Sequence, residues 1–292
     1  MATTISDMNS IDYGKGRGEV RGTGGPTDSP QEAGQTTRIL VFAYGAIAHV
    51  GFLAVFLYLV GFLGNFGVPK RVDSAPTRPL WEALLIDGLL LGLFAVQHSV
   101  MARKGFKGWW TRFVPKPIER STYVMISNVL MAAVFWFWEP IGGTVWSVED
   151  TTARAVLYTL FGLGWLQVVI SSFFINHFDL FGTRQVWLYL KGQEYKPLRF
   201  AVPGTYQFVR HPLYVGWLMG FWATPTMTVA HLVFAALTTA YILVAIQFEE
   251  RDLISIHGER YAQYRRSVPM LIPRLFGRKP AGGRTATDST AA

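Results

Sequence analysis

Long apolar stretches recur along the chain, and they restrict its fold more than any other feature of the sequence. A helix of about 20 apolar residues crosses the ~30 Å hydrocarbon core of a bilayer, and it satisfies its backbone hydrogen bonds internally. The sequence therefore predicts an all-α integral membrane protein, a helical bundle of five to six membrane helices. The stretches cover residues 39–65, 80–101, 123–138, 155–175 and 213–248.

The composition agrees with this fold class and excludes several kinds of site. Only 16% of the 292 residues are charged, against about 25% in soluble globular proteins. The absence of cysteine excludes disulfides, cysteine-ligated zinc, iron–sulfur clusters and a cysteine nucleophile. The six histidines form no HExxH motif or other close ligand pair, so we predict no metal site. The net charge of +8 comes from bases between apolar runs, which indicates a membrane and not nucleic acid as partner.

The two ends of the chain differ from its middle. Residues 1–37 are rich in glycine, serine, threonine and aspartate, and residues 275–292 are rich in arginine, glycine, threonine and alanine. Neither segment contains an apolar run whose burial would offset the entropy lost on ordering. We therefore predict disordered tails at 1–37 and 275–292, on either side of a membrane domain at 38–274.

Bases in the connections predict the orientation of the bundle, because cytoplasmic loops carry an excess of lysine and arginine. The link between the third and fourth stretches is acidic, with Glu139, Glu149 and Asp150 against Arg154. The first link is mildly basic, which runs against the rule. We predict that the second and fourth connections and the amino terminus are cytoplasmic. The bases in those two connections are Arg103, Lys104, Lys107, Arg112, Lys116 and Arg120, then Arg184, Lys191, Lys196, Arg199 and Arg210.

The last apolar stretch is too long for one crossing and is interrupted by Thr224-Pro225-Thr226. The segment after it is basic, so this stretch crosses an even number of times if that segment is also cytoplasmic. Proline removes a backbone donor and clashes with the preceding turn, which breaks a helix. We therefore predict a hairpin of a short helix, 213–223, and a longer one, 227–248. The hairpin would bring Arg210-His211-Pro212 beside Glu249-Glu250 on the cytoplasmic side.

The Arg-His and Glu-Glu pairs at the two ends of this hairpin are the strongest chemical feature of the sequence. Ionisable residues at the membrane edge are costly, which makes them functional candidates. Two adjacent glutamates repel each other unless a cation or a hydroxyl-rich ligand is held there. S-adenosylmethionine offers an ammonium, a sulfonium and a ribose diol to the carboxylates, and a carboxylate to the arginine or histidine. Interfacial salt bridges without a ligand explain the same spacing, and the residues alone leave both interpretations open.

Three further motifs each have a structural and a functional interpretation. Phe161-Gly162-Leu163-Gly164 lies inside the fourth stretch, where small residues usually permit close helix packing. Asn176-His177-Phe178-Asp179 follows that helix, and capping explains it about as well as ligand contact. Gln97-His98 ends the second stretch, where a histidine is either a hydrogen-bonded structural residue or a functional one.

A basic segment near the carboxyl end predicts a helix that lies on the membrane. Tyr261, Tyr264 and Val268 recur at i, i+3 and i+7, so they share one helical face. Arg265 and Arg266 would then face lipid headgroups.

The carboxy-terminal motifs resemble those of a known family. The strings that carry the resemblance are Arg210-His-Pro-Leu-Tyr-Val-Gly216, Glu249-Glu-Arg-Asp-Leu253 and Tyr261-Ala-Gln-Tyr-Arg-Arg-Ser-Val-Pro269. Together they resemble the carboxy-terminal module of integral-membrane methyltransferases, over about residues 200–273. That family includes isoprenylcysteine carboxyl methyltransferases and phospholipid N-methyltransferases, and the module is its S-adenosylmethionine site, open to the cytosol.

The resemblance implies a set of residues that contact the cofactor. Gly162 and Gly164 are similar to a G-x-G motif that the phospholipid enzymes carry in an earlier helix. The full set implied is Gly162, Gly164, His177, Arg210, His211, Pro212, Tyr214, Gly216, Glu249, Glu250 and Tyr261.

The earlier part of the chain narrows the family. Residues 97–103, 109–110, 115–123 and 176–185 together resemble bacterial methanethiol S-methyltransferases, and this similarity spans about residues 40–273. It implies that a small volatile thiol is methylated to dimethyl sulfide with S-adenosylmethionine as methyl donor. It also implies a bacterial inner-membrane protein in contact with lipid, with the active site and both termini in the cytoplasm.

The resemblance further implies how such a reaction would run. A thiolate would attack the sulfonium methyl group in line, and the opposite charges would cancel, which a dry site at the membrane edge favours. The thiol first has to lose its proton, since the pKa of a thiol such as cysteine is ~8.5. His98 and His211 are the candidate bases, and Arg210 could stabilise the thiolate. Glu249 or Glu250 could accept the proton through water.

Three other functions remain open from the sequence. A methyltransferase acting on a phospholipid or a prenyl-cysteine would share the cofactor module but would need a long lipid groove. A sterol-type membrane reductase has a similar terminal pattern and uses NADPH. A non-enzymatic membrane scaffold would bind neither cofactor.

Overall fold

The computed structural model describes residues 29–198 and 201–274. The predicted tail at 275–292 and residues 1–28 of the predicted amino-terminal tail lie outside these ranges. The elements, in chain order, are α1 (Gln35–Gly64), α2 (Leu80–Val100), α3 (Lys104–Trp110), α4 (Lys116–Phe137), β1 (Thr144–Ser147), α5 (Thr151–Phe174), α6 (His177–Leu180), α7 (Thr183–Leu190), a 3₁₀ turn (Gly204–Gln207), α8 (Pro212–Trp222), β2 (Thr226–Thr228), α9 (Val229–His257) and α10 (Glu259–Ser267).

Four of the described helices, α1, α2, α5 and α9, are long and apolar enough to cross a membrane. Only 17% to 33% of their most apolar segments is buried inside the protein, so most of that surface faces outward. Leu57 and Leu89, for example, are 67% and 64% exposed. Contiguous apolar surface of this extent requires lipid or another protein to cover it. The prediction of an all-α integral membrane protein is confirmed, and the number of crossings stays a prediction.

Local sequence determines where several helices begin. The Asp150 carboxylate accepts a hydrogen bond from the backbone N–H of Ala153 and caps α5. The Thr228 hydroxyl caps α9 in the same way by accepting from the backbone N–H of His231. Pro212 occupies the first turn of α8, where its missing N–H would have no helical partner. These residues place the starts of both hairpin helices close to the predicted positions.

Several helices extend beyond the apolar stretches that predicted them. Helix α1 begins at Gln35 instead of 39, and α4 begins at Lys116 instead of 123. Helix α9 continues through Glu249 and Glu250 to His257, whereas the predicted helix ended at 248. Hydropathy marks the membrane-embedded part of a helix, and polar turns can prolong the helix beyond it. The glutamate pair therefore lies inside α9 and not, as predicted, at the end of the hairpin.

Glycines bring α5 and α8 into close antiparallel contact. Gly164 faces Met219 and Gly220, while Gly216 faces Val168 further along α5. A Cβ atom on Gly216 would lie 2.7 Å from the carbonyl oxygen of Gly164, so a larger residue does not fit unless a helix moves. This contact fixes the first helix of the hairpin against the rest of the bundle.

The turn of the hairpin is attached to the connection between α4 and α5. Strand β2 pairs antiparallel with β1, with Thr144 opposite Thr228. Asp73 accepts hydrogen bonds from the Thr228 hydroxyl and from Asn65 Nδ2, the latter at 2.6 Å. The hairpin therefore reaches the end of the bundle that is predicted to face away from the cytoplasm. The sequence predicted this turn from Pro225, but it predicted neither β1 nor β2.

An aromatic core occupies the half of the bundle next to the hairpin turn. Phe62, Trp138 and Phe234 are buried there, with ring centroids 5.9 Å apart for Phe62 and Trp138. Trp165 of α5 and Phe221 of α8 continue this core across the glycine contact. The apolar core thus holds one half of the hairpin rigidly, while the polar half that carries the glutamate pair lies at the other end.

Candidate active site

The Glu250 carboxylate is the centre of a buried ion cluster. Its Oε1 atom accepts hydrogen bonds from Arg210 Nε at 2.7 Å and from His211 Nε2 at 3.1 Å. Its Oε2 atom lies 3.0 Å from Arg265 Nε. Glu250 is only 3% exposed, so these charges interact in a medium of low dielectric, which strengthens their attraction. The two ends of the hairpin are joined at this carboxylate.

Tyr214 extends the cluster one turn into α8. Its hydroxyl donates to Glu249 Oε2 at 3.1 Å, and Glu249 is 7% exposed. The rings of His211 and Tyr214 lie 5.6 Å apart. The structure thus brings five of the predicted site residues together, and we call them the glutamate cluster: Arg210, His211, Tyr214, Glu249 and Glu250.

The segment after α9 closes the glutamate cluster from a third side. Arg210 Nη1 donates to the backbone carbonyl oxygens of Arg265 and Val268 at 2.9 and 2.6 Å. The backbone N–H groups of Arg210 and His211 donate to the carbonyl oxygens of the two residues that follow Val268. Residues 265–270 are therefore part of the same site, and we call them the carboxy-terminal strap.

Helix α10 packs onto this site through one face, and its position on the membrane surface stays a prediction. Tyr261 is 1% exposed, and the Tyr264 hydroxyl donates to the carbonyl oxygen of Tyr206 at 2.7 Å. Arg265 turns toward Glu250, whereas the sequence analysis directed it to lipid headgroups. Tyr261 and Arg265 are four residues apart and share a helix face, and this spacing is the signal that could have predicted the inward arginine.

Burial sets the protonation states around Glu250. It lowers the pKa of His211 to about 4, so the imidazole is neutral at pH 7 and donates its Nε2 hydrogen to the carboxylate. Burial also raises the pKa of Tyr261, whose hydroxyl therefore keeps its hydrogen. The positive charge next to Glu250 comes from the guanidinium groups of Arg210 and Arg265.

Of the predicted glycines, Gly164 and Gly216 serve helix packing in this structure and Gly162 does not. Gly164 is buried against α8, whereas Gly162 is exposed and has no atom within 4 Å of the position that a Cβ would take. Gly216 contacts α5 through its backbone, and Pro212 begins α8 immediately after His211. A role of Gly162 or Gly164 in cofactor binding stays a prediction, while Pro212 belongs to the immediate surroundings of the glutamate cluster.

His177 belongs to a separate aromatic cluster after the end of α5. Its Nδ1 atom lies 2.8 Å from the Ser172 hydroxyl, and its ring stacks on Phe173 with the centroids 4.6 Å apart. The His49 ring lies 5.1 Å away. Burial lowers the pKa of His177 to about 4, so this histidine is neutral at pH 7. These contacts do not lead to the glutamate cluster.

His98 lies near the end of α2 and is held by α4. Its Nδ1 atom is 3.3 Å from the Ser127 hydroxyl oxygen. The rings of Phe94 and Tyr123 pack against the imidazole, with centroids 5.2 and 5.0 Å away. The Tyr123 hydroxyl also donates to the carbonyl oxygen of His98 at 3.3 Å.

Tyrosine hydroxyls connect the surroundings of His98 with the glutamate cluster. Ser99, the next residue in α2, donates to the Tyr241 hydroxyl on α9 at 3.4 Å. Tyr123, Tyr214 and Tyr241 lie near one another in this region. His98 and the glutamate cluster therefore border the same interior region between α2, α4, α8 and α9.

Arg103 is a neighbour of the site that the sequence analysis counted only as a loop charge. Its Nη1 atom lies 2.8 Å from Asp252 Oδ2, and its guanidinium lies over the Phe248 ring at 4.7 Å. It also interacts electrostatically with Tyr214. The partner Asp252 is 149 residues away in the chain, so no local pattern could have revealed this contact.

A cavity of about 550 Å³ lies at the opposite end of the bundle, beside the hairpin turn. Arg71, Asp73 and Thr226 are among the residues that line it, and none of the lining residues belongs to the glutamate cluster. Within the described ranges, no three histidine, aspartate or glutamate side chains gather closely enough to hold a metal ion. The ligand chemistry of the glutamate cluster is therefore that of carboxylates, guanidinium groups and hydroxyls.

Known proteins align with most of this chain. The chain is 58% identical over 243 residues to a methanethiol S-methyltransferase of Crocosphaera subtropica, which covers 83% of this chain and 95% of that protein. It is 50% identical over 236 residues to the protein of the same name from Mycobacterium tuberculosis, covering 81% and 97%. Methanethiol S-methyltransferase 1 of Bradyrhizobium diazoefficiens is 46% identical over 274 residues, covering 94% and 93%. No protein-family model and no solved structure matches the chain.

These alignments extend over most of the helices that surround the interior region between α2, α4, α8 and α9. The aligned lengths take in most of this chain, so they are too long to be confined to the hairpin and the strap. The apolar helices, the glutamate cluster and the extent of these identities lead to one assignment: the chain belongs to the methanethiol S-methyltransferase family.

Proposed function

We propose that this chain transfers a methyl group from S-adenosylmethionine to methanethiol and releases dimethyl sulfide. The observation that carries the proposal is the buried Glu249–Glu250 pair held against Arg210, in a chain whose relatives are named methanethiol S-methyltransferase. The name of the relatives supports the substrate and the reaction. The glutamate cluster supports the identity of the methyl donor.

The glutamate cluster fits the polar groups of S-adenosylmethionine. Two carboxylates suit an ammonium, a sulfonium or a ribose diol, and the guanidinium groups of Arg210 and Arg265 suit a carboxylate. When bound, this donor supplies an electrophilic methyl group on a sulfonium. The residues that we assign to holding it are Arg210, His211, Pro212, Tyr214, Gly216, Glu249, Glu250 and Tyr261.

Low polarity around the reacting groups favours this reaction. A thiolate and a sulfonium carry opposite charges that cancel as the methyl group moves, so water stabilises the separate reactants more than the transition state. Glu249 and Glu250 are 7% and 3% exposed, so the cluster is largely screened from water. The protein contributes by holding both reactants in this dry region and by keeping the Glu250 carboxylate charged with Arg210 and Arg265.

Methanethiol itself offers little binding energy. With two heavy atoms and a limit of ~1.5 kcal/mol for each, its affinity lies in the millimolar range. The substrate dissolves in lipid, and the exposed apolar faces of α2 and α9 border the interior region. We infer that the thiol enters from the bilayer between these helices, while the methyl donor enters from the cytoplasm.

The first test combines turnover with cofactor binding. Purified protein receives S-adenosylmethionine and methanethiol, and dimethyl sulfide is measured in the headspace by gas chromatography. Glu250→Gln preserves the shape of the side chain and removes its charge. We expect this variant to bind S-adenosylmethionine about 100-fold more weakly by calorimetry, because charge-assisted hydrogen bonds worth ~3 kcal/mol depend on the carboxylate.

Glu259→Gln is the matched control. Glu259 lies on the surface of α10 with its side chain 66% exposed, and this variant is expected to keep both turnover and binding. Unchanged cofactor affinity in Glu250→Gln would show that the cluster is not the cofactor site. Binding without dimethyl sulfide, combined with competition by long-chain thiols or amines, would indicate a lipid or prenyl-cysteine methyltransferase. Binding of NADPH instead would indicate a reductase, and binding of neither cofactor a scaffold.

A further inference from the structure

A hydrogen-bond arrangement on α4 determines which nitrogen of His98 carries a hydrogen. Ser127 Oγ lies 2.9 Å from the carbonyl oxygen of Tyr123 and 3.2 Å from Gln97 Oε1. The Tyr123 carbonyl oxygen is the nearest of the neighbours of Ser127 Oγ and can only accept, so we assign the single hydroxyl hydrogen to it. Ser127 Oγ therefore acts as an acceptor toward its third neighbour, His98 Nδ1, at 3.3 Å.

This arrangement selects one tautomer of His98. A neutral imidazole carries one hydrogen, and an acceptor opposite Nδ1 requires the hydrogen there. The other ring nitrogen, Nε2, then keeps its lone pair. The packing of Phe94 and Tyr123 against the ring restricts its rotation and so keeps Nδ1 directed at Ser127.

We propose that Ser127 is a positioning residue that holds His98 in the tautomer whose Nε2 accepts the proton of the thiol substrate. This inference rests on the proposed function and names its base. The S–H bond breaks, the proton passes to Nε2, and the electron pair stays on the thiol sulfur. That pair forms the new S–C bond while the C–S bond of the methyl donor breaks and leaves its pair on the donor's sulfur. His98 then releases the proton to water, so one proton and two neutral sulfur compounds balance the reaction.

Arg120 of α4 lies close enough to His98 to disfavour a positive charge on its ring, so an accepted proton has to pass on to water. The same guanidinium would stabilise a thiolate. The other titratable groups near His98 are the hydroxyls of Tyr123 on α4 and Tyr241 on α9. His211 differs because its Nε2 hydrogen is donated to Glu250, which makes it part of the glutamate cluster.

The tautomer can be measured directly by nitrogen-15 spectroscopy of protein labelled in its imidazole rings, with His98→Gln used to assign the signals. We expect the hydrogen on Nδ1 of His98 in the wild type and a mixture of both tautomers in Ser127→Ala. Ser127→Thr keeps the hydroxyl and is expected to keep the wild-type tautomer. Ser255→Ala is the matched control, because the exposed Ser255 hydroxyl also donates to a carbonyl of its own helix, at 2.7 Å. A hydrogen on Nε2 in the wild type, or an unchanged tautomer in Ser127→Ala, would overturn the inference.

Turnover gives the second readout. We expect kcat to fall about 100-fold in His98→Gln and about 10-fold in Ser127→Ala, as for loss or misorientation of a general base, with unchanged affinity for S-adenosylmethionine. The difference in kcat between wild type and His98→Gln should shrink as the pH approaches the pKa of the thiol substrate, because the thiolate then forms without a base. A wild-type pH profile in His98→Gln contradicts the proposal. Absence of dimethyl sulfide from the wild type would refute the proposed function and the base role together, whereas wild-type turnover with a hydrogen on Nε2 would refute this inference alone.

Discussion

Two glycines of one motif, Gly162 and Gly164, have very different surroundings. A Cβ atom on Gly164 would lie 2.7 Å from Met219 Cβ and 2.8 Å from the backbone nitrogen of Gly220. A Cβ atom on Gly162 would meet nothing within 4 Å. The same substitution at the two positions therefore separates helix packing from ligand binding.

Gly164→Ala is expected to lower the free energy of unfolding by about 1–3 kcal/mol, because the added carbon forces α5 and α8 apart. Gly162→Ala is expected to be neutral or to stabilise α5 by up to ~1 kcal/mol, since alanine is the better helix former. Thermal unfolding in detergent measures the first effect, and calorimetry with S-adenosylmethionine measures any effect on the cofactor. A Gly162→Ala variant that folds normally but loses cofactor affinity would assign the motif to the cofactor site instead.

The sequence predicted side-chain contacts between the two helices of the hairpin but not contacts between the hairpin and other helices. The meeting of Arg210 and His211 with Glu250 followed from charge and from one proline, because a hairpin joins its own two ends. The inward turn of Arg265 and the contact of Arg103 with Asp252 did not follow. Both depend on how separate helices are rotated about their axes, which local periodicity does not determine for short or charged segments.

At the scale of elements, the sequence predicted the hairpin turn but not the strands that hold it. Pro225 marks the turn, but β1 and β2 are strands of four and three residues, too short for an alternating pattern to identify. Their pairing joins Thr144 to Thr228, far apart in the chain. The start of α4 was missed by seven residues and the end of α9 by nine, because polar turns continue both helices outside the apolar segment.

Asp73 attaches this turn to the loop after α1. Burial raises the pKa of Asp73, but hydrogen bonds from Thr228 and Asn65, together with His231 Nδ1 at 3.8 Å, outweigh that effect and hold the pKa below its ordinary value. A carboxyl group with a lowered pKa in the folded state contributes stability that is complete above its unfolded pKa of about 3.9. That contribution is lost as the pH falls through the lower, folded value.

Asp73→Asn is therefore expected to lower the free energy of unfolding by about 1–3 kcal/mol at pH 7, since a charged acceptor of several hydrogen bonds is lost. The difference between wild type and variant should shrink as the pH falls below about 4. Unfolding in detergent at both pH values measures this. Asp150→Asn is the control, because asparagine caps a helix as well as aspartate does. Equal stability of Asp73→Asn and wild type at pH 7 would mean that the turn is held by the strands alone.

At the scale of the whole molecule, the loop charges predict one orientation in the membrane, and the chain contains no cysteine that would interfere with labelling. Ser147→Cys places a thiol beside the hairpin turn, and Glu259→Cys places one on α10 at the opposite end. We expect a membrane-impermeant maleimide to label Ser147→Cys in intact spheroplasts and Glu259→Cys only after permeabilisation. The reverse labelling pattern would indicate the opposite orientation in the membrane, with the glutamate cluster outside the cytoplasm.

The glutamate cluster draws on Arg210, Glu250 and the carboxy-terminal strap, so it is complete only after the ribosome has synthesised residue 270. By then the apolar helices that precede the strap have already been made and can enter the bilayer one after another. A chain truncated before residue 265 consequently lacks the strap that closes this site. The protein therefore acquires a closed site only at the end of its synthesis.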